Sequence, residues 1–134
     1  MRFKYLLLAL FVFLGACSSN SVPEGFDEEQ LTTQAKQIVE YLQDAQYTEV
    51  LSLMREDVRE MLPLETLKDV AETKYADVGS FEKYSQVAIT DTKDPSTSEV
   101  YAVVIVVVEY TEGKGTYTLT FDKDLRCVGL YIKS

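Results

Sequence analysis

The run from Glu99 to Tyr110, EVYAVVIVVVEY, constrains the fold more than any other stretch of the chain. It is rich in β-branched residues, has aromatics near both ends and contains no Gly or Pro. Val and Ile crowd a helix at χ1 but pack well on a pleated surface. Glu99 and Glu109 bracket the apolar residues, so the run is too short to cross a bilayer as a helix. Apolar side chains alternate onto both faces, which predicts a central strand covered on at least part of each side.

Around that strand the chain divides into two halves. Asp27 and Gln30 have the spacing of a helix N-cap and its reciprocal partner. Leu31, Ala35, Ile38, Leu42 and Ala45 then recur at helical spacing. Thr48 is expected to cap a short helix through Val50, Leu51 and Met54, and Pro63 to end the segment before it. A further helix is expected over residues 64–75, with Leu67, Val70 and Ala71 on one face. The charges from Arg55 to Glu60 read as a solvated helix face with local ion pairs.

The second half predicts four strands in an antiparallel meander. The first covers residues 81–90, followed by a turn-rich connection around Asp94-Pro95 and then the central strand. Two-residue turns at 112–113 or 113–114 and at 123–124 both give the same facing. Val104, Val106 and Val108 then share the core side with Tyr117, Leu119 and Phe121, joined by Val128, Leu130 and Ile132. Tyr101, Val103, Ile105, Val107, Cys127 and Tyr131 fall on the other side with a row of threonines. That side is half apolar. Either another part of the chain covers it, or it is an interaction face formed by Tyr101, Val103, Ile105, Val107 and Tyr131.

The N-terminus reads as an export signal. Met1 to Lys4 is a short basic segment, residues 5–14 are apolar, and Gly15-Ala16 precedes Cys17. Leu14-Gly15-Ala16-Cys17 resembles the bacterial lipobox, which implies lipidation of Cys17 and cleavage just before it. The expected organisation is a signal peptide over 1–16, a lipidated Cys with a flexible tether over 17–25, and one α+β domain over 26–134. Eight tether residues reach at most about 28 Å. The expected location is the outer face of the plasma membrane, or the outer membrane if the cell has two. Cys127 then has no intrachain partner, and a small buried hydrophobe is its expected role.

Composition excludes more than it selects. The 134 residues carry 22 acidic and 13 basic side chains and no His, for a formal charge of −9. That charge repels phosphate backbones and argues against nucleic acid. The commonest general base and metal ligand is missing. No cofactor motif and no catalytic set is visible, so no enzyme activity, cofactor or metal is expected. A calcium site from Asp91, Asp94, Asp122 and Asp124 lacks EF-hand spacing.

Several short segments, in order, resemble a known family. They are Asp44-Ala45-Gln46-Tyr47-Thr48-Glu49-Val50, Leu64-Glu65-Thr66-Leu67, Val78-Gly79-Ser80-Phe81-Glu82-Lys83-Tyr84, Thr120-Phe121-Asp122-Lys123-Asp124 and Val128-Gly129-Leu130-Tyr131-Ile132-Lys133. Helices followed by a Gly-Ser entrance into a curved meander resemble the nuclear-transport-factor-2-like (cystatin-like) fold. The segments themselves resemble a bacterial extracytoplasmic domain-of-unknown-function family common in Gram-positive lipoproteins. The resemblance implies N-terminal helices packed on a curved four-stranded antiparallel meander, and it brings no catalytic residues with it.

The function that follows is a membrane-anchored binding or interaction module. A small-molecule pocket between sheet and helices would be lined by Tyr41, Tyr75, Tyr84, Tyr110 or Tyr117. A homodimer or an envelope protein is the other class of partner. The alternatives are an isomerase- or dehydratase-like enzyme with an inward carboxylate near Tyr110 or Tyr117, and a homo-oligomerisation domain.

Overall fold

A computed structural model of the chain describes residues 21–134. The expected leader, the lipobox and Cys17 lie outside the described residues. Four helices come first: α1 (Glu28–Gln43), α2 (Tyr47–Ser52), α3 (Glu56–Met61) and α4 (Leu64–Tyr75). Four strands follow: β1 (Phe81–Lys93), β2 (Val100–Tyr110), β3 (Gly113–Phe121) and β4 (Cys127–Lys133). They form one antiparallel sheet in the order β1-β2-β3-β4, so the fold is α+β with a meander.

Helix α1 begins where the capping pattern places it, with the Asp27 side chain accepting from the Gln30 amide at 3.0 Å. Its buried residues are Leu31, Ala35, Ile38, Val39 and Leu42, one stripe laid against the sheet. The helix ends by reversing through Ala45, whose φ is 59°, with the Gln46 amide bonded to the Tyr41 carbonyl at 2.8 Å. That left-handed position suits glycine. Ala45→Gly is therefore expected to stabilise the protein by about 1 kcal/mol, read as a higher urea midpoint at unchanged m-value.

Helix α2 starts two residues earlier than the sequence suggests, with Gln46 at the N-cap and no side-chain cap bond, so Thr48 is not a cap. Helix α4 covers the expected residues and buries Leu67 and Ala71, but it leaves Val70 exposed.

Strand β2 is central, and every second residue from Ala102 to Val108 is fully buried under the helices. Tyr101, Val103, Ile105 and Val107 on the opposite side are only half-buried. Among the described residues, coverage is thus confined to one side of the sheet, the face on which the helices pack.

The β2–β3 turn sits at Thr111-Glu112, which moves the pairing by two residues and preserves the facing. Val104 faces Leu119, Val106 faces Tyr117, and Ala102 faces Phe121. Strand β1 runs three residues beyond its expected end, to Lys93. Strand β4 departs more. It begins at Cys127 after a five-residue loop, and a bulge intervenes between the Thr120–Gly129 and Phe121–Cys127 pairs. The bulge turns Cys127 into the core and leaves Val128 half-buried, reversing the sides expected for both.

Two contacts explain the reversal. The Cys127 amide donates to the Leu53 carbonyl at 3.0 Å, and the Cys127 carbonyl accepts from the Arg55 amide at 2.9 Å. The segment between α2 and α3 therefore holds the start of β4 as a short parallel bridge, Met54 to Cys127. At the opposite edge, the Ser21 amide donates to the Ile89 carbonyl and Val22 packs on the core. Residues 21 and 22, placed in the tether by the sequence reading, lie along β1.

Candidate functional site

Two places on the domain gather side chains beyond the needs of simple packing. The first is a group of tyrosines where the end of α4 meets the β2–β3 hairpin. Tyr110 and Tyr117 point inward from neighbouring strands, and Tyr75 closes over them from α4. The Tyr117 hydroxyl is hydrogen-bonded to those of both Tyr75 and Tyr110. Tyr110 donates on to the Gln43 side-chain oxygen at 2.7 Å. Burial pushes all three phenols above their ordinary range, since a phenolate there would lose its water. Gly115 makes the room: a Cβ on it would lie 3.1 Å from the Tyr110 ring and 3.4 Å from that of Tyr117.

Outside the cluster, Tyr75 and Tyr110 form part of a cleft of about 250 Å³ with Gln43, Asp44, Ser80 and Phe81. Tyr117 lies behind it and is wholly buried. Tyr84 stands apart, donating to Glu40 at 3.0 Å with the Lys36 ammonium 4.7 Å above its ring. Tyr41 packs at the rim of the core. The structure thus brings Tyr75, Tyr110 and Tyr117 together and leaves Tyr41 and Tyr84 outside. Each hydroxyl of the cluster already has a partner, which makes it a satisfied polar core.

The second place is an apolar groove of about 440 Å³ at the β4 edge of the sheet. Val58 of α3 and Leu62 just after it form one wall, and Leu67 and Val70 of α4 form another. Leu130, Tyr131 and Ile132 supply the strand side, and Lys74 is the single charged residue in the lining. Among the described residues the exposed large hydrophobics are Met61 (84%), Tyr131 (63%), Phe81 (44%), Leu64 (43%) and Val70 (43%). Of these, Val70 and Tyr131 line the groove, while Leu64 lines a separate polar cleft with Tyr47, Lys68 and Glu72. Exposed apolar side chains at a concavity mark a recognition surface more than scattered ones do. Tyr131 also joins the groove to the outer face carrying Tyr101, Val103, Ile105 and Val107, because it pairs with Thr118 on that side. Nothing in the spacing of the sequence signalled this groove. Its walls come from three separate segments.

The remaining polar features close on themselves. Asp122 is buried, and one carboxylate oxygen accepts from the amides of Asp124 and Arg126, at 3.0 and 2.9 Å. Its other oxygen meets Arg55 at 3.5 Å, and Arg55 also pairs with Asp57 and Glu99 and lies over the Tyr101 ring. Asp94 caps its own turn through Ser96. Among the described residues no three acidic or cysteine side chains gather as metal ligands. Cys127 is buried, and burial pushes its thiol up to about 11.

Among the described residues no helix is long and apolar enough to cross a membrane. A protein-family model described as Protein of unknown function (DUF3887) matches residues 35–130, from within α1 to within β4. A solved NMR structure of a protein from Ruminococcus gnavus ATCC 29149 is similar at a TM-score of 0.72 and 26% identity. The match covers 84% of this chain and 96% of that one. Comparison with curated proteins gives no match.

Proposed function

The chain belongs to the DUF3887 family of proteins of unknown function, and from that starting point we propose that it is a lipid-anchored, extracytoplasmic recognition module without catalysis of its own. Its fold is read as a branch of the nuclear-transport-factor-2-like architecture, and its working surface as the groove beside β4. The observation that carries this reading is one concavity of about 440 Å³ lined almost wholly by apolar residues from the α3, α4 and β4 segments, with Val70 and Tyr131 exposed at it. A recognition site needs apolar area that water leaves readily and a few polar groups that set direction. The groove has the first in its aliphatic walls and the second in Lys74.

The isomerase-like alternative needs a carboxylate base beside the tyrosines. The hydroxyl cluster is instead bonded to itself and to Gln43, and the carboxylate of the adjoining cleft, Asp44, is exposed and bonds none of its hydroxyls. The buried Asp122 is held by Arg55 and two backbone amides. These observations favour binding over catalysis.

Anchoring rests on the basic, apolar and Leu14-Gly15-Ala16-Cys17 segments of the sequence. With Ser21 bonded to β1, only residues 18–20 separate Cys17 from the domain, a reach of about 14 Å at most. The β1 edge is then the side nearest the membrane. The β4 groove lies three strand spacings farther along the sheet, about 14 Å, open to partners from outside.

Two measurements test the reading. Bacteria fed an alkyne-tagged fatty acid should label the wild-type chain and not Cys17→Ser, and the variant should leave the membrane fraction. Equal labelling removes the anchor. A photo-crosslinking residue at position 70 or 131 should trap a discrete adduct in intact cells, whereas position 82 on β1 should not. Adducts from position 82 alone would move the working surface to the other edge.

A further inference from the structure

The groove wraps the edge of a strand. Leu130 and Ile132 point to the helix side of β4 and Tyr131 to the opposite side, yet all three line the same cavity. Side chains of both facings can meet one cavity only if it runs along the strand's open edge. Beyond Cys127, no backbone hydrogen bond from another segment reaches that edge among the described residues. The outer amides and carbonyls of β4 are therefore free to pair.

The first rung is already in place. Leu53 to Arg55 pairs with Cys127 in the parallel sense and then turns away into α3. Continuing along the same edge in the same direction leads to the end of β4, where Lys133 and Lys74 stand. Lys74 lies at that end because its neighbour Tyr75 bonds Tyr117, the pairing partner of Ile132. Neither lysine side chain makes an ion pair or hydrogen bond among the described residues. Lys74 is the one charged residue of the groove lining, which holds no carboxylate, and Lys133 is the last residue of β4.

We infer that β4 accepts an extended peptide as a fifth strand, parallel to itself, with alternate apolar side chains in the groove and a C-terminal carboxylate held by Lys74 and Lys133. Main-chain bonds supply the attraction and the groove supplies selectivity, as in other strand-addition sites. Charge fixes the direction: the antiparallel arrangement would bring a peptide's N-terminal ammonium to the two lysines. The inference rests on the groove being the working surface, and it adds the class of partner.

The test uses the full chain, isotope-labelled and reconstituted in lipid nanodiscs. The probe is an acetylated hexapeptide of alternating valine and threonine with a free C-terminal carboxylate. Saturable NMR shifts and slowed amide exchange are expected along residues 128–133. N-methylating the peptide's pairing amides should weaken binding by more than about tenfold, since several backbone bonds are lost. Amidating its C-terminus, or Lys74→Gln or Lys133→Gln, should each weaken it about two- to fivefold. A nitroxide at the peptide's N-terminus should broaden signals near Val58 and Cys127. Broadening near Lys74 instead overturns the direction. Equal binding of the N-methylated peptide, or binding of decanoate but not of the peptide, overturns strand addition while leaving the groove as a recognition site. Binding of neither, with groove adducts still trapped in cells, overturns the peptide class alone.

Discussion

Gly79→Ala is expected to lower the unfolding free energy by about 3 kcal/mol, a large share of the stability of a domain this size. Gly79 has φ of 84° and joins α4 to β1 directly against the β2–β3 turn. A Cβ there would lie 2.1 Å from the Thr111 hydroxyl oxygen and 3.2 Å from the Glu112 backbone nitrogen. The hydroxyl cannot swing away freely, because it accepts from the Ser80 amide at 2.9 Å. On either side, the Thr111 amide donates to the Ser80 carbonyl at 2.8 Å and the Glu112 amide to the Val78 carbonyl at 2.7 Å. Alanine therefore adds left-handed strain of about 1–2 kcal/mol and displaces a hydrogen bond worth about 1 kcal/mol.

Urea denaturation checks the result, with Thr111→Ala as a second variant. Thr111→Ala alone should cost about 1 kcal/mol, and the double variant should cost less than the two singles together, because the clash partner is gone. A change under about 0.5 kcal/mol for Gly79→Ala would mean that the two segments are not docked as described.

The second large effect is alkaline instability centred on the tyrosine cluster. Tyr75, Tyr110 and Tyr117 have phenols raised by burial above the ordinary value near 10. Each stays protonated in the folded protein where the unfolded chain already ionises, so the unfolded state binds fewer protons and stability falls as pH rises. The stabilisation is complete below about pH 10 and is lost progressively above it, by up to about 1.4 kcal/mol per pH unit for each group. Three groups acting together approach about 4 kcal/mol per unit as an upper limit.

Denaturation midpoints should be flat from pH 7 to 8, fall gently as the unfolded Cys127 thiol ionises, and fall steeply beyond 10. Tyr117→Phe removes the central hydroxyl of the three and should make that fall shallower, at a cost of about 1–2 kcal/mol near neutral pH. Titration of Tyr75, Tyr110 and Tyr117 near pH 10 in a chain that stays folded would contradict the burial that raises them.

The sequence by itself determined the scaffold. Asp27 and Gln30 marked the start of α1, and the spacing of Leu31, Ala35, Ile38 and Leu42 marked its buried stripe. The β-branched run became the central strand, and alternation alone put Val104, Val106, Val108, Tyr117, Leu119 and Phe121 on one buried side. These signals are legible because helical and strand periods are local, and a turn shifted by two residues leaves the facing unchanged.

The tertiary structure decided what faces solvent and what gathers. Cys127 turned inward because the α2–α3 segment bonds to the start of β4, a contact between residues more than 70 apart that no local period records. The tyrosine hydroxyls meet because α4 closes over a hairpin that follows it in sequence. Val70 reads as a core residue by spacing, yet it is exposed beside a groove that exists only where α3, α4 and the edge of β4 meet. Periodicity tells which side of an element is apolar. Whether another element arrives to cover that side depends on how the layers stack, and among the described residues the sheet's last strand is left open.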